Sequence, residues 1–312
     1  MHFRNAIHIL LFIGLSLSTG HSQNDKDSIP ELTEGINLSS GVLDSYLSED
    51  GKLFMTVRQE VLDRDLLMVT RIAQIPANYS AYSNAGSKTA ESVIHFSKNG
   101  NKIILKQISY SNIADDNDPI KLSVEENNFS PILASFDIIN SESDQFLVDV
   151  TEYFMDDSPG FNIIPKRLKD DYKIGKRDKN RSQIDSARSF PENIEIMHTL
   201  TFPATNAPRG NTTGSLTFQI NHSIILLPET PMKLRHADHR VGWFSISQID
   251  YSSEALKSDE VELIRRWRLE PTDEAAYARG ELVEPKKPIV YYLDPATPIK
   301  WRPYFIRGIE DW

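Results

Sequence analysis

Apolar and polar residues alternate over long stretches of this chain. Ile194, Ile196, His198, Leu200 and Phe202 share one parity, while Glu195, Met197, Thr199 and Thr201 take the other. A period of two predicts a strand with one covered face. Residues 215–227 predict a second long strand, and the turn residues at 206–214 make the two antiparallel neighbours. Residues 52–57 and 66–72, rich in apolar and β-branched side chains, predict two more strands. The first follows an Asp50-Gly51 turn, and residues 59–64 between them predict a short helical turn. Residues 92–96 and 102–108 flank Asn99-Gly100, a hairpin signal that favours a type I′ turn. Residues 132–139 and 145–150 form a further pair around a polar turn, with a short helix to 155. Residues 75–88 read as a loop, and 166–188, mixed in charge and poor in apolar residues, as a surface excursion.

The last third of the chain carries other patterns. Val261, Leu263, Arg265, Trp267 and Leu269 alternate, which predicts a strand that buries Trp267, although Ser258-Asp259-Glu260 also suits a helix cap. The unbroken run at 289–293 predicts a strand covered on both faces. Trp301, Phe305, Gly308, Ile309 and Trp312 fall on one face of an amphipathic helix, with Pro303 in its first turn. No Gly or Asn cap closes that helix. The expectation is that the chain is the front part of something longer.

Composition narrows the class. The 312 residues are 39% hydrophobic and 25% charged, an ordinary globular balance. A net charge of −10 argues against general nucleic-acid binding. Residues 1–22 have the form of a signal peptide: Arg4, an apolar run at 7–17, and Gly20-His21-Ser22 as a cleavage site. The run is too short for a membrane span, and no later stretch approaches one. The expected location is therefore periplasmic or extracellular, with an uncleaved N-terminal anchor as the alternative. The chain has no cysteine, which excludes disulfides, thiolate ligands and a cysteine nucleophile.

Candidate chemistry is sparse. Of the eight histidines, only His236 and His239 lie close together, and none sits in a His-Glu-x-x-His pattern. On a helix that pair could share a metal. The flanking Pro231 and Val241-Gly242-Trp243-Phe244 favour a loop, in which Arg235, Asp238 and Arg240 pair locally. The acidic stretch at 115–119 lacks the Gly and distal Glu of an EF-hand. There is no Gly-x-Ser-x-Gly, so Ser215 reads as structural, and no Gly-rich phosphate loop. No catalytic or cofactor-binding residue is assigned.

A set of motifs resembles a known family. Leu226-Leu227-Pro228-Glu229, Met232, Arg235, Asp238-x-Arg240-Val241-Gly242-x-Phe244, Arg266-Trp267-Arg268-Leu269-Glu270-Pro271, Pro285-Lys286-Lys287-Pro288-Ile289-Val290-Tyr291-Tyr292 and Gly308-Ile309-x-x-Trp312 are similar to the N-terminal half of large secreted bacterial zinc-dependent metalloproteases of the metzincin type. The resemblance is dense over 215–312 and looser over 40–214. The residue pattern predicts an α+β chain with a signal peptide (1–22), a polar leader (23–40) and a predominantly antiparallel β module (41–280, or two parts, 41–75 and 85–280), and the resemblance implies that 285–312 are the first strand and helix of an incomplete protease domain. The resemblance also implies that the zinc, its histidines and its glutamate base lie beyond Trp312, so this chain binds no zinc and hydrolyses no peptide alone. The expected partners are the missing C-terminal protease domain and a protein or peptide substrate, with the module acting as folding aid, inhibitory prosegment or substrate platform. The alternative is a stand-alone exported β-rich binding protein.

Overall fold

The computed structural model describes residues 28–254 and 256–311; the expected signal peptide, the start of the leader and Trp312 lie outside the described residues. The first strands are β1 (Asn37–Ser39), β2 (Asp44–Leu47), β3 (Leu53–Arg58) and β4 (Leu66–Gln74). Then come β5 (Lys88–Asn99), β6 (Lys102–Ile108), β7 (Asn112–Ile113), β8 (Ile132–Glu142) and β9 (Gln145–Asp149). The rest are β10 (Gln183–Ser189), β11 (Asn193–Pro203), β12 (Ser215–Leu226), β13 (Ser245–Asp250) and β14 (Asp259–Ile264). Six short helices accompany them: α1 (Ile29–Leu32), α2 (Ile120–Asn127), α3 (Thr151–Phe154), α4 (Lys166–Tyr172), α5 (Glu274–Ala278) and α6 (Arg302–Glu310).

Eleven strands build one antiparallel sheet in the order β1-β2-β3-β9-β8-β6-β5-β4-β12-β11-β10. The sheet curls until its two ends meet, a near-barrel. At the seam, Val42 N donates to Phe190 O at 2.9 Å and Ser189 N donates to Ser39 Oγ at 2.8 Å. The hydroxyls of Ser45 and Ser189 lie 3.0 Å apart. Gly41 makes this approach possible, because a Cβ there would sit 2.3 Å from the Phe190 carbonyl oxygen. Arg58 braces the same turn, donating to Gly41 O at 2.5 Å and to Asp44 Oδ2 at 2.7 Å.

The inward face follows the alternation of the sequence. Leu66, Met68, Thr70 and Ile72 of β4 are buried, as are Ile194, Ile196, His198, Leu200 and Phe202 of β11, and Phe218, Ile220, His222 and Ile224 of β12. α3 and the chain that follows it fill the interior: Phe154 and Phe161 place their rings against His222 at centroid distances of 5.3 Å and 4.0 Å. The near-barrel is therefore a packed core and not a pore. A second, three-stranded sheet in the order β14-β13-β7 stands beside it. It is tied to the barrel through β7, which belongs to the excursion between β6 and β8 and pairs in parallel with β13.

Several expectations are corrected. The leader is structured from residue 28 on: Ile29 is buried with Tyr46 and Leu147, and β1 pairs with β2. The charged stretch 166–188 is not a loose excursion, because its few apolar residues, Leu168 of α4 and Ile184 of β10, reach the core. The turn at Gly100 has positive φ at that residue alone, which fits a type II′ turn and not type I′. The two-residue positive-φ pattern falls instead on Ser143 and Asp144, between β8 and β9. β14 ends at Ile264, and Trp267 beyond it is 56% exposed. The run 289–293 forms no strand and is exposed, since a doubly covered strand needs layers on both faces that the described residues do not supply.

Closing the seam against a methyl group forces backbone apart. Gly41→Ala is expected to lower stability by about 1–3 kcal/mol, read as the midpoint of urea unfolding. A variant as stable as the parent would show that the seam does not hold the sheet.

Candidate functional site

Histidine 198 and histidine 222 face inward on adjacent strands, one pair of positions out of register with each other. Their Nε2 atoms lie 2.7 Å apart, and His222 Nδ1 is 3.0 Å from Thr70 Oγ1 on β4. His198 Nδ1 has no hydrogen-bond partner. Burial pushes the His198 imidazole down to about 3, against a raising influence from Asp185 and a lowering one from Arg177. Burial, and then His198 itself, hold His222 well below 6.5. Both rings are therefore neutral, and only one proton can lie between the two Nε2 atoms. If His198 donates it, His222 carries its own proton on Nδ1, toward Thr70. The atom left over is then a lone pair and not a buried N–H, which is the less costly orphan. Sealed from solvent, this relay reads as a structural element and not a catalytic one. The alternation along β11 puts His198 on the covered face, and the signal for its partner is the even parity that His222 shares with Phe218, Ile220 and Ile224 on β12.

A second constellation lies at the surface. Asp65 Oδ1 is 2.5 Å from His95 Nε2, and Tyr110 Oη donates to both Asp65 oxygens at 2.7 Å and 2.8 Å. Partial burial raises the Tyr110 phenol, and its bonds to the carboxylate raise it further. An Asp–His pair is two-thirds of a hydrolytic triad, but no hydroxyl bonds the other His95 nitrogen among the described residues, so the nucleophile is missing. Ser215 has no histidine beside it; its hydroxyl receives Arg181 Nη1 at 3.3 Å.

The pair singled out in the sequence, His236 and His239, lines a cleft with Asp259, Glu260 and Glu262. His236 is held in backbone pairing opposite Leu263. His239 Nδ1 lies 3.9 Å from Asp238 Oδ1, while Asp238 is engaged by Arg240 through two bonds of 2.9 Å and 2.6 Å. Arg235 does not join them. No group of three or more His, Asp or Glu side chains suited to a metal ion exists among the described residues.

What distinguishes the molecule is the arm that follows β12. Trp243, Phe244, Trp267, Leu269, Tyr291 and Tyr292 are all exposed, Phe244 to 88% and Tyr292 to 93%. On α6, Tyr304, Phe305, Ile306 and Ile309 are exposed as well, and none of that helix is buried. The amphipathic face predicted for residues 301–312 is thus present along α6 but uncovered. The barrel, by contrast, buries most of its large apolar residues in one main cluster and a small second one around Tyr46 and Leu147.

The histidine pair makes stability pH-dependent. The unfolded chain binds protons on these rings near 6.5, whereas folded His198 binds one only near 3. Stability from the buried pair is complete above pH 6.5 and is lost as pH falls through that window. With two rings the loss approaches roughly 2.7 kcal/mol per pH unit. Urea midpoints measured between about pH 7 and pH 5 are expected to fall steeply; a flat profile would mean the rings are not buried neutral.

No curated protein and no solved structure matches the chain. A family model described as a domain of unknown function, DUF5117, matches residues 86–272. The match takes in β5 to β14 and the small sheet of the arm. It covers more than half of the sequence, and the chain therefore belongs to the DUF5117 family.

Proposed function

We propose that this chain is the N-terminal, non-catalytic region of an exported zinc-dependent metalloprotease, and that its arm docks against the catalytic domain. The observation that carries the reading is the uncovered apolar surface of the arm. Exposed apolar patches of this extent mark interaction surfaces, and buried aromatic anchors dominate the energetics of such contacts. The motifs of 226–312 that resemble the metzincin-type proteases lie on this same arm. Export is read from the signal-peptide pattern at 1–22. In this reading the barrel positions or shields, and the zinc-bound water and its glutamate base belong to the partner domain.

The reading is tested in the source DNA and then with protein. The frame beyond the codon for Trp312 is expected to encode a His-Glu-x-x-His segment; a frame without one removes the protease from the account. Where that segment exists, Phe305→Asp with Ile309→Asp is expected to leave the stability of the isolated chain within about 0.5 kcal/mol, because both residues are exposed. The same pair in the longer protein is expected to lower the thermal midpoint of the protease domain. An unchanged midpoint there would mean that α6 does not dock.

A further inference from the structure

A cleft of about 320 Å³ opens where residues 232–235 pass the start of β13 and the end of β14. Its apolar lining includes Leu263 and Ile264, both buried, with Leu234 and Ile246, both exposed. Four cations border it: Lys233, Arg235, Arg265 and Arg266. None of the four forms an ion pair with a carboxylate among the described residues, although the chain as a whole carries a net charge of −10. Only the Arg266 guanidinium has a side-chain bond there, donating to Lys233 O at 2.5 Å. In an acidic protein, four unpaired cations around an apolar cleft are a local reversal of charge.

The backbone around the cleft is extended. Ala237 N donates to Glu262 O at 2.8 Å and Ile264 N donates to Arg235 O at 3.0 Å, so the 235–237 stretch runs along β14 as a short added strand. Lys233 and Arg235 stand two residues apart on the approach to this pairing, with Leu234 between them in sequence. Arg265 and Arg266 continue from β14 on the other side. Cations spread over two neighbouring stretches of chain that line one cleft match a ligand whose charges are also spread along a chain. A compact anion would call for donors converging on one point.

We propose that this cleft is a docking site for an extended polypeptide segment in which carboxylates alternate with bulky apolar side chains. The apolar side chains enter between Leu234 and Ile246, and the carboxylates meet the four cations. The charges steer approach and set orientation, and the apolar contact supplies most of the affinity. The inference rests on the reading of the arm as a docking surface, but not on the partner being a protease.

The test uses the whole chain and a short fluorescent peptide that alternates leucine with glutamate, followed by anisotropy. Saturable binding that weakens as salt is raised is expected. The same peptide with lysine in place of glutamate is expected not to bind. Arg235→Glu with Arg265→Glu is expected to weaken binding about tenfold. Ile246→Asp is expected to abolish it, since Ile246 lines the cleft. All three residues are exposed, and an unchanged thermal midpoint establishes that the variants fold. Equal binding of the lysine peptide, equal binding by the charge-reversed variant, or binding of dodecanoate in place of the peptide would each overturn the proposal. None of these outcomes bears on what the reading frame encodes, so this inference and the protease reading fail separately.

Discussion

The ladder between β4 and β12 is the constraint on which the rest of the structure depends. It joins residues 66–74 to residues 219–226 and places β4 between β5 and β12 in the sheet. The β5–β6 and β11–β12 pairings are hairpin-local and can form from their own sequence. The closed sheet cannot, because β4 has to find a strand from the far end of the chain. The register of that ladder sets the interior polar network, since Thr70 lies opposite His222. A slip of one residue in β4 would turn Thr70 outward and Arg71 into the core, and one in β12 would exchange His222 for Asn221, so the apolar pattern and the network enforce the same register.

The interior histidines are an unusual choice for a packed barrel. Two rings that must remain neutral are surrounded by Phe154 and Phe161, and one nitrogen has no partner. An apolar pair of similar volume would avoid the desolvation cost. What the pair adds is direction: the chain of contacts from Thr70 through His222 to His198 links β4, β12 and β11 with geometry that aliphatic packing does not impose. The network therefore trades stability in acid for a fixed alignment of three neighbouring strands.

Much of the sheet was legible from residue pattern alone, and the reason is local. β3, β4, β6, β9, β11 and β12 each carry alternation or β-branched runs bounded by turn residues, which is how a half-covered strand announces itself. The readings that failed needed knowledge of what lies opposite. Trp267 and residues 289–293 have the composition of buried strands, but burial depends on a second layer, and no local pattern reveals whether that layer is present. β10 was hidden for the converse reason: its edge position against β11 lets it keep many polar residues and only Ile184 deep in the core. The Asp65–His95–Tyr110 cluster escaped because it is assembled from separate segments of chain, and the histidine pair because its two rings meet only once the β11–β12 hairpin has its register. His236 and His239, close in sequence, are brought beside carboxylates but not into a metal-binding arrangement.

The family boundary and the physical unit do not coincide, and the difference bears on the arm. The matched residues begin at 86, yet β4 lies inside the sheet they form, so the barrel needs residues that precede the match. The match runs on through β13 and β14 to residue 272, so the arm's small sheet is part of what the family shares and not an appendage peculiar to this chain. A shared element that leaves Trp243, Phe244 and Trp267 exposed calls for a physical reason. Covering three or four such side chains would remove roughly 400 Å² of apolar surface from water, worth roughly 10 kcal/mol before the costs of association. The described residues leave that free energy unclaimed. The barrel fills its interior with its own strands and the chain around α3, and on the reading proposed above the arm's apolar residues meet another polypeptide surface.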